Sequence, residues 1–333
     1  MDLSTLRRAL RAAALAGFAL LLVFVGLASH AAAAEAYPNH PIRVIVPYPP
    51  GDVVDIIARL IGPKMAERMG QPFVVDNRPG ASGQIGMALL KNAPGDGYTI
   101  GFGQGGNLVV APHTKKNLPY DPLKDFRAVA IFATNYLAVV ANLDTPFNTP
   151  AEMVNWAKAN PDKLTVATNG EGGFPHLAFE HLAAMAHFKF QHVPYKGASQ
   201  ITTDLIGGQV MVGIGAYTSL SPQVLSGRLK LIGVTNHVPV ADKPNLPIFA
   251  DAVPGYDSRG WFGAVVPAST PNDIVEKLNA EINRAMKSPE VAEVLKTQGL
   301  ILVTESPKYF DDVIKRDYER YGKLARSIGF EPR

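Results

Sequence analysis

Four loops rich in glycine or proline each follow a predicted β-strand and lead into a predicted helix. They are Tyr48–Asp52, Ser82–Gln84, Asn169–His176 and Tyr195–Ser199. The first N–H groups of a helix lack an intrahelical acceptor and carry the positive end of the helix dipole, so such loops can bind an anion. Since ligands of open α/β sheets bind at the carboxyl ends of the strands, we expect the four loops to surround one small anion.

The first loop shows this pattern most clearly. The sequence RVIVPYPPGDVVD, Arg43–Asp55, contains a β-branched strand, a turn with three prolines, and a helix start with Asp52 at the N-cap position. The prolines reduce the entropy that is lost when a ligand binds. An ordinary strand-to-helix turn has the same appearance, so this motif alone leaves both interpretations open.

Patterns typical of metal, nucleotide or serine chemistry are weaker. His176 and His181 are five residues apart, which separates them by about 140° around a helix and prevents them from sharing a metal ion. The string GFGQGG at 101–106 has GxGxxG spacing, but no long amphipathic helix is predicted before Pro112. Ser82 is not part of a Gly-x-Ser-x-Gly motif. The sequence therefore predicts no metal site, no cofactor and no catalytic residue.

The first 34 residues have the organisation of an export signal. Three arginines precede an apolar run, Ala12–Leu27, and a row of alanines ends at Ala34. The run has 16 residues, fewer than the ~20 that an anchoring helix needs to span a bilayer. We therefore predict cleavage near Ala34 and a periplasmic mature protein rather than one held by a membrane anchor.

Composition restricts the class of protein further. The chain has no cysteine, so an exported form has neither disulfides nor a cysteine for a lipid anchor, and its stability must come from a large core. Removal of residues 1–34 takes away three of the 32 basic and one of the 29 acidic residues, and the net charge falls from +3 to +1. A nucleic-acid partner is therefore not expected.

Alternating strand and helix signals over 333 residues predict an α/β protein with two lobes. The apolar stretch Phe126–Asn142 is long enough for two strands with a break at Thr134-Asn135, where we place the first crossing between lobes. A strand that begins near Gly260-Trp261 returns the chain to the first lobe. We expect lobe 1 to comprise 35–135 and 261–333, and lobe 2 to comprise 136–260.

Segments along nearly all of the mature chain resemble the Bordetella uptake gene (Bug) family, in the order that the family has them. The segments are PIRVIVPYPPG, VVDNRPGASGQIG, GDGYT, HVPYKGA, DLIGGQV and GWFGAVVPASTP. Members of this family are periplasmic solute receptors of tripartite tricarboxylate transporters. The resemblance implies a type II periplasmic binding protein fold, each lobe having a mixed β-sheet flanked by helices, with the ligand cleft between the lobes.

The resemblance also implies a function without catalysis. Such a receptor binds a small organic carboxylate as a monomer and delivers it to membrane permease subunits. Matched by position, the expected ligand-binding residues are Tyr48, Pro50, Gly51, Ser82, Gly83, Gly170, Gly172, His176, Tyr195 and Gly197. Their neighbours Asp52, Asn169, Gly173 and Phe174, and Tyr217 as a further aromatic wall, complete the predicted site.

Two departures from the family pattern bear on the ligand. Asp52 stands where a second glycine is usual, and it either caps its own helix or faces the pocket, where it would pair with a cationic group of a zwitterionic acid. Gly173 stands where Ser or Thr is usual, beside Phe174. The phenyl ring favours an aromatic acid if it faces the pocket, and it is a core residue otherwise.

Two alternatives to a receptor remain at this point. An exported enzyme could use the same cleft with His176 as a base, although no nucleophile is paired with it in the sequence. The effector domain of a transcription regulator would have the same lobes, but the export signal and the lack of a helix-turn-helix segment argue against it.

Overall fold

The computed structural model describes residues 37–195, 197–240 and 243–332. The predicted export signal and its cleavage site near Ala34 lie outside the described residues. His40–Arg333 forms one compact unit, which contains two β-sheets and the helices around them. In the described part of the chain, no helix is both long and apolar enough to cross a membrane.

The secondary structure alternates strands and helices along most of the chain. The strands are β1 (Ile42–Val46), β2 (Phe73–Asn77), β3 (Thr99–Gln104), β4 (Phe126–Asn135), β5 (Leu137–Ala141), β6 (Thr165–Thr168), β7 (Gln191–Pro194), β8 (Val212–Ala216), β9 (Lys230–Val234), β10 (Gly260–Pro267) and β11 (Leu300–Leu302). The α-helices are α1 (Val53–Met69), α2 (Gln84–Lys91), α3 (Ala111–Thr114), α4 (Pro122–Asp125), α5 (Pro150–Ala159), α6 (Phe174–Ala186), α7 (Ala198–Ile206), α8 (Tyr217–Leu225), α9 (Phe249–Ala252), α10 (Asn272–Met286), α11 (Pro289–Thr297) and α12 (Pro307–Ser327).

Both sheets are mixed. The first has the strand order β11-β4-β10-β3-β1-β2, in which β1 is parallel to β2 and β3 while β10 is antiparallel to β3 and β4. The second has the order β7-β6-β8-β5-β9, in which β6 is parallel to β7 and β8 while β5 is antiparallel to β8 and β9. The chain leaves the first sheet at Tyr136, between β4 and β5, and rejoins it at Gly260.

A short helical segment follows the GxGxxG string, where the sequence predicted no long helix. A π-helical turn, Gly106–Val110, continues directly into α3, which contains Pro112. Pro112 lies at the junction of the π-helical turn and α3. The segment is too short to be the long helix that a dinucleotide site requires.

Helix α6 packs against the cores of both sheets. Phe174 contacts the core clusters on both sides, while Leu177 is buried in the cluster of the first sheet and Phe179 in that of the second. Buried side chains of this size each contribute roughly 1.5–3 kcal/mol. The first residue of α6 is therefore held in place from two directions.

Strand β10 has no tolerance for added volume at Gly263. A Cβ atom there would meet the ring of Phe310 and would lie 2.8 Å from the carbonyl oxygen of Ala130. We expect Gly263→Ala to lower the free energy of unfolding by about 1–3 kcal/mol, because the strand or the ring must shift. Urea unfolding of the two proteins measures the difference.

Gly215→Ala in β8 is the matched control. A Cβ atom at that residue would meet Leu220 at 3.4 Å, which is an ordinary van der Waals distance. It should change the free energy of unfolding by less than about 0.5 kcal/mol. Equal losses in the two variants would show that β10 is not especially crowded.

Candidate ligand-binding site

A cavity of ≈500 Å³ opens between elements of the two sheets. The first sheet contributes Tyr48, the turn Gln104–Asn107 after β3, and Trp261 at the start of β10. The second sheet contributes the loop between β6 and α6, Asn169–Gly173, and Ala216 at the end of β8. The volume is in the usual range for a site that holds a small organic molecule.

Three helices begin at this cavity without a side-chain cap. The residues at their N-cap positions are Gly83 for α2, Gly173 for α6 and Ala216 for α8, and none of the three provides a capping hydrogen bond from a side chain. Ser82, Gly173 and Ala216 line the cavity. The N-termini of α6 and α8 therefore lie at the cavity and that of α2 lies next to it, and their positive dipole ends favour a negative charge there.

The start of α6 offers the clearest donors. The N–H groups of Gly173 and Phe174 have no acceptor among the described residues, and Pro175 has no N–H group to compete with them. The loop before them turns sharply because Gly170 and Gly172 have φ angles of 103° and 69°, which disfavour any other residue. Two adjacent amides at a helix N-terminus are suited to one carboxylate group.

His176 holds this loop in position from behind. Its Nδ1 atom accepts a hydrogen bond from the N–H group of Gly172 at 3.0 Å, and its Nε2 atom lies 3.3 Å from Oε1 of Glu180. The ring stacks on that of His192 with 3.7 Å between centroids. Burial, together with His176, lowers the pKa of His192 to about 4, so His192 is uncharged at neutral pH. His176 therefore positions the loop and is buried itself.

The proline loop uses its own backbone donors internally. The N–H group of Gly51 donates to Oδ2 of Asp55 at 2.9 Å, and the Asp55 side chain also accepts from Arg59 and Asn77. Asp52 caps α1, since its Oδ1 atom accepts from the N–H group of Val54 at 2.9 Å. The Gly51 amide is thus already engaged and does not line the cavity.

Tyr48 brings a hydroxyl group to the cavity wall. Asn107 donates to this hydroxyl at 2.9 Å, and the main chain of Asn107 is fixed by the hydroxyl of Tyr120, which donates to its carbonyl oxygen at 2.7 Å. Burial raises the pKa of Tyr48, so its hydroxyl stays protonated at neutral pH. It can act as a hydrogen-bond donor to an anion.

The structure places seven of the fifteen predicted residues on the cavity wall. They are Tyr48, Ser82, Asn169, Gly170, Gly172, Gly173 and Phe174. The other eight, which do not line it, are Pro50, Gly51, Asp52, Gly83, His176, Tyr195, Gly197 and Tyr217.

Some of these eight have other partners. A Cβ atom on Gly83 would lie 2.8 Å from Nδ2 of Asn107, which puts this glycine behind the Tyr48–Asn107 pair. The hydroxyl of Tyr195 donates to Asp204 at 2.7 Å, and the ring of Tyr217 packs against that of Tyr136. Phe174 lines the cavity and also packs in the core.

Sequence reasoning missed several residues of the wall. Gln104 and Asn107 belong to the region of the GxGxxG string, whose polar residues directly after a strand were an available signal. Asn135 lies at the end of β4, and its buried side-chain oxygen has no donor among the described residues. Trp261 and Lys115 also line the cavity, and no motif marked Lys115. Within the described ranges, no group of three or more His, Cys, Asp or Glu side chains is suited to a metal ion.

We expect Asp55→Asn to destabilise the protein at neutral pH. Burial alone would raise the pKa of Asp55, but hydrogen bonds from Arg59, Gly51 and Asn77 hold it below the ordinary value of 3.8. A carboxyl whose pKa is lower in the folded state stabilises the fold above its unfolded pKa and loses this effect as the pH falls. The loss should be about 1–3 kcal/mol at about pH 7 and should shrink towards about pH 3. Urea unfolding at both pH values tests this, and a gap that stays constant would contradict it.

Replacement of the cap residue should leave ligand choice unchanged. Since Asp52 caps α1 outside the cavity wall, we expect Asp52→Gly to cost only a few tenths of a kcal/mol, as Gly is a tolerated N-cap. Calorimetric titration of both proteins with acids that carry or lack a basic nitrogen measures selectivity. A change in selectivity would mean that Asp52 faces the ligand after all.

Comparison with known proteins places this chain in a family. A profile described as the tripartite tricarboxylate transporter family receptor, TctC, matches residues 57–330. A UPF0065 protein from the tcbD-tcbE intergenic region of Pseudomonas sp. (strain P51) is 39% identical over 312 residues, which cover 93% of this chain and 92% of the relative.

Two solved structures from Rhodopseudomonas palustris share the fold. Rpa4515 with adipate is 29% identical, with a TM-score of 0.72 over 89% of this chain and 100% of the other. MatC (Rpa3494) with bound malate is 26% identical, with a TM-score of 0.68 over 86% of this chain and 99% of the other. A solved structure of the periplasmic binding protein BugD is 28% identical, with a TM-score of 0.68 over 89% of this chain and 100% of the other. These matches confirm the two-lobed α/β fold and the resemblance to Bug receptors. The chain belongs to the receptor family of tripartite tricarboxylate transporters.

Proposed function

We propose that this protein is an extracytoplasmic receptor that binds a small organic carboxylate in the cavity and delivers it to the membrane permease of a tripartite tricarboxylate transporter. The predicted export signal supports a periplasmic location, and family membership supports the permease as partner. We propose that the receptor acts as a monomer and without catalysis. Lobe 1 would comprise 35–135 and 261–333, and lobe 2 would comprise 136–260.

The observation that carries the proposal is the pair of amides at the start of α6. The N–H groups of Gly173 and Phe174 have no acceptor among the described residues, and the loop that precedes them lines the cavity. Both residues are partly buried on the cavity wall, and a hydrogen bond from an N–H group to a charged acceptor contributes about 1.5–3 kcal/mol. The dipole of α6 adds a favourable interaction with a negative charge.

The ligands of the two solved relatives are of the same chemical class. Adipate and malate are both small carboxylates, and they are bound by proteins that resemble this chain over almost their full lengths. Main-chain amides recognise a carboxylate without dictating the rest of the molecule, so members of one family can differ in ligand. We therefore propose the class of ligand from the family and from the amides together.

Among the described residues, no contact favours the alternative of an enzyme that acts in this cleft. The expected base, His176, is 4% exposed and accepts the Gly172 amide with Nδ1. A general base must reach the proton that it removes, and this ring is instead used to fix the loop.

Titration of the mature protein with a panel of acids tests the function. The panel comprises mono-, di- and tricarboxylates, aromatic acids and pyridine carboxylates, together with the matching amides, which lack the negative charge. We expect a rise in melting temperature and a measurable calorimetric Kd for at least one acid and for none of the amides. Binding of an amide as tightly as its acid would refute an anion site.

A bulky residue at Gly106 should block the cavity. Gly106 lines the wall, and a Cβ atom there would have no heavy atom within 4 Å. We expect Gly106→Phe to reduce the affinity for any acid found in the panel by at least about 100-fold, because the ring occupies ligand space, whereas Gly106→Ala should keep the affinity within about threefold. Calorimetry measures both, and urea unfolding verifies that both variants are folded. Full binding by the Phe variant would place the ligand elsewhere.

A further inference from the structure

The cavity wall contains a single cationic side chain among the described residues, that of Lys115. Lys115 follows α3, is partly buried, and has no ion pair or side-chain hydrogen bond with any residue that the structure describes. Its main chain is fixed, because its N–H group donates to the carbonyl oxygen of Ala111 at 2.9 Å. A lysine that lines a ligand cavity and pairs with no protein carboxylate is available to pair with a ligand.

The neighbourhood of Lys115 is well ordered by contacts with α12. Nε2 of His113 lies 2.8 Å from the carbonyl oxygen of Tyr318, and the two rings pack edge to face. The hydroxyl of Thr114 donates to the carbonyl oxygen of Val110 at 3.3 Å. Lys115 therefore follows directly on two residues whose side chains are held by hydrogen bonds.

The charges of the wall suit a ligand with two negative groups. Helix N-termini supply only about half an elementary charge each, which is sufficient for one carboxylate when amides also donate to it. A second carboxylate needs a further donor, and an ammonium group forms hydrogen bonds about twice as strong as those of neutral donors. The acidic side chain in the wall, Glu171, is exposed to solvent, and no ion pair joins it to Lys115 among the described residues.

We propose that Lys115 binds the second carboxylate of a dicarboxylate whose first carboxylate lies on the amides of Gly173 and Phe174. This inference rests on the proposed function and makes it narrower, since it names the diacid class and the residue that selects it. The neighbouring Lys116 is exposed and does not line the cavity, so it provides a matched control.

The test compares diacids with monoacids of equal chain length. Adipate and hexanoate form one pair, and succinate and butyrate form a second. Calorimetric titration of the mature protein should show tighter binding of at least one diacid than of its monoacid. Lys115→Gln should weaken binding of that diacid by about 10- to 100-fold while the affinity for the monoacid stays within about threefold.

Two further variants separate charge from general disturbance. Lys115→Arg keeps the positive charge and should retain most of the diacid affinity, and Lys116→Gln should change neither affinity. The inference is overturned if Lys115→Gln leaves diacid binding unchanged or weakens the diacid and the monoacid equally. A wild-type protein that binds monoacids of the panel but no diacid would also overturn it and would leave the proposed function standing. If no acid of any kind binds, the proposed function itself has failed.

Discussion

The site depends on a helix that begins without a cap. At several helix starts of this protein an Asp, Thr or Ser side chain accepts from the first free N–H groups, as Asp52 does in α1 and Thr149 in α5. Gly173 has no side chain to do so at α6, and the N–H groups of Gly173 and Phe174 have no acceptor among the described residues. Such an arrangement is stable only because Phe174 and Leu177 anchor α6 in the cores of both sheets.

The other strand-to-helix loops stabilise the wall in a different way. In the proline loop, the carboxylate of Asp55 takes the Gly51 amide, and Asn77 joins this carboxylate to the carbonyl oxygen of Tyr48. The result is a fixed main chain from which Tyr48 directs its hydroxyl to the cavity. The loop before α6 thus has free main-chain donors, whereas the proline loop uses its main-chain donor at Gly51 to keep Tyr48 in place.

The wall also reaches the segment where the chain returns to the first sheet. Trp261 lines the cavity, and its Nε1 atom donates to Oδ2 of Asp317 on α12 at 3.0 Å. Asp317 also forms an ion pair with Arg320 at 3.3 Å, and the guanidinium group of Arg320 donates to the carbonyl oxygen of Asp257 at 2.6 Å. Trp261 is therefore connected through the side chains of Asp317 and Arg320 to the backbone just before β10.

The sequence by itself determined the two-lobed α/β fold, the receptor family and the glycine loop Asn169–Gly173, because strand and helix periods, turn residues and ordered motifs are local properties of a chain. Only the tertiary structure decided which loop amides are free. By residue type and position, the amide of Gly51 is as suited to bind an anion as that of Gly173. In the folded protein, however, Asp55, four residues further along, accepts a hydrogen bond from the Gly51 amide. The tertiary structure alone also places Lys115 and Asn135 on the cavity wall, since no sequence motif marks either residue. They line the cavity because packing brings distant segments together, and a hydrogen-bond partner or a cavity wall is a property of that packing rather than of residue type.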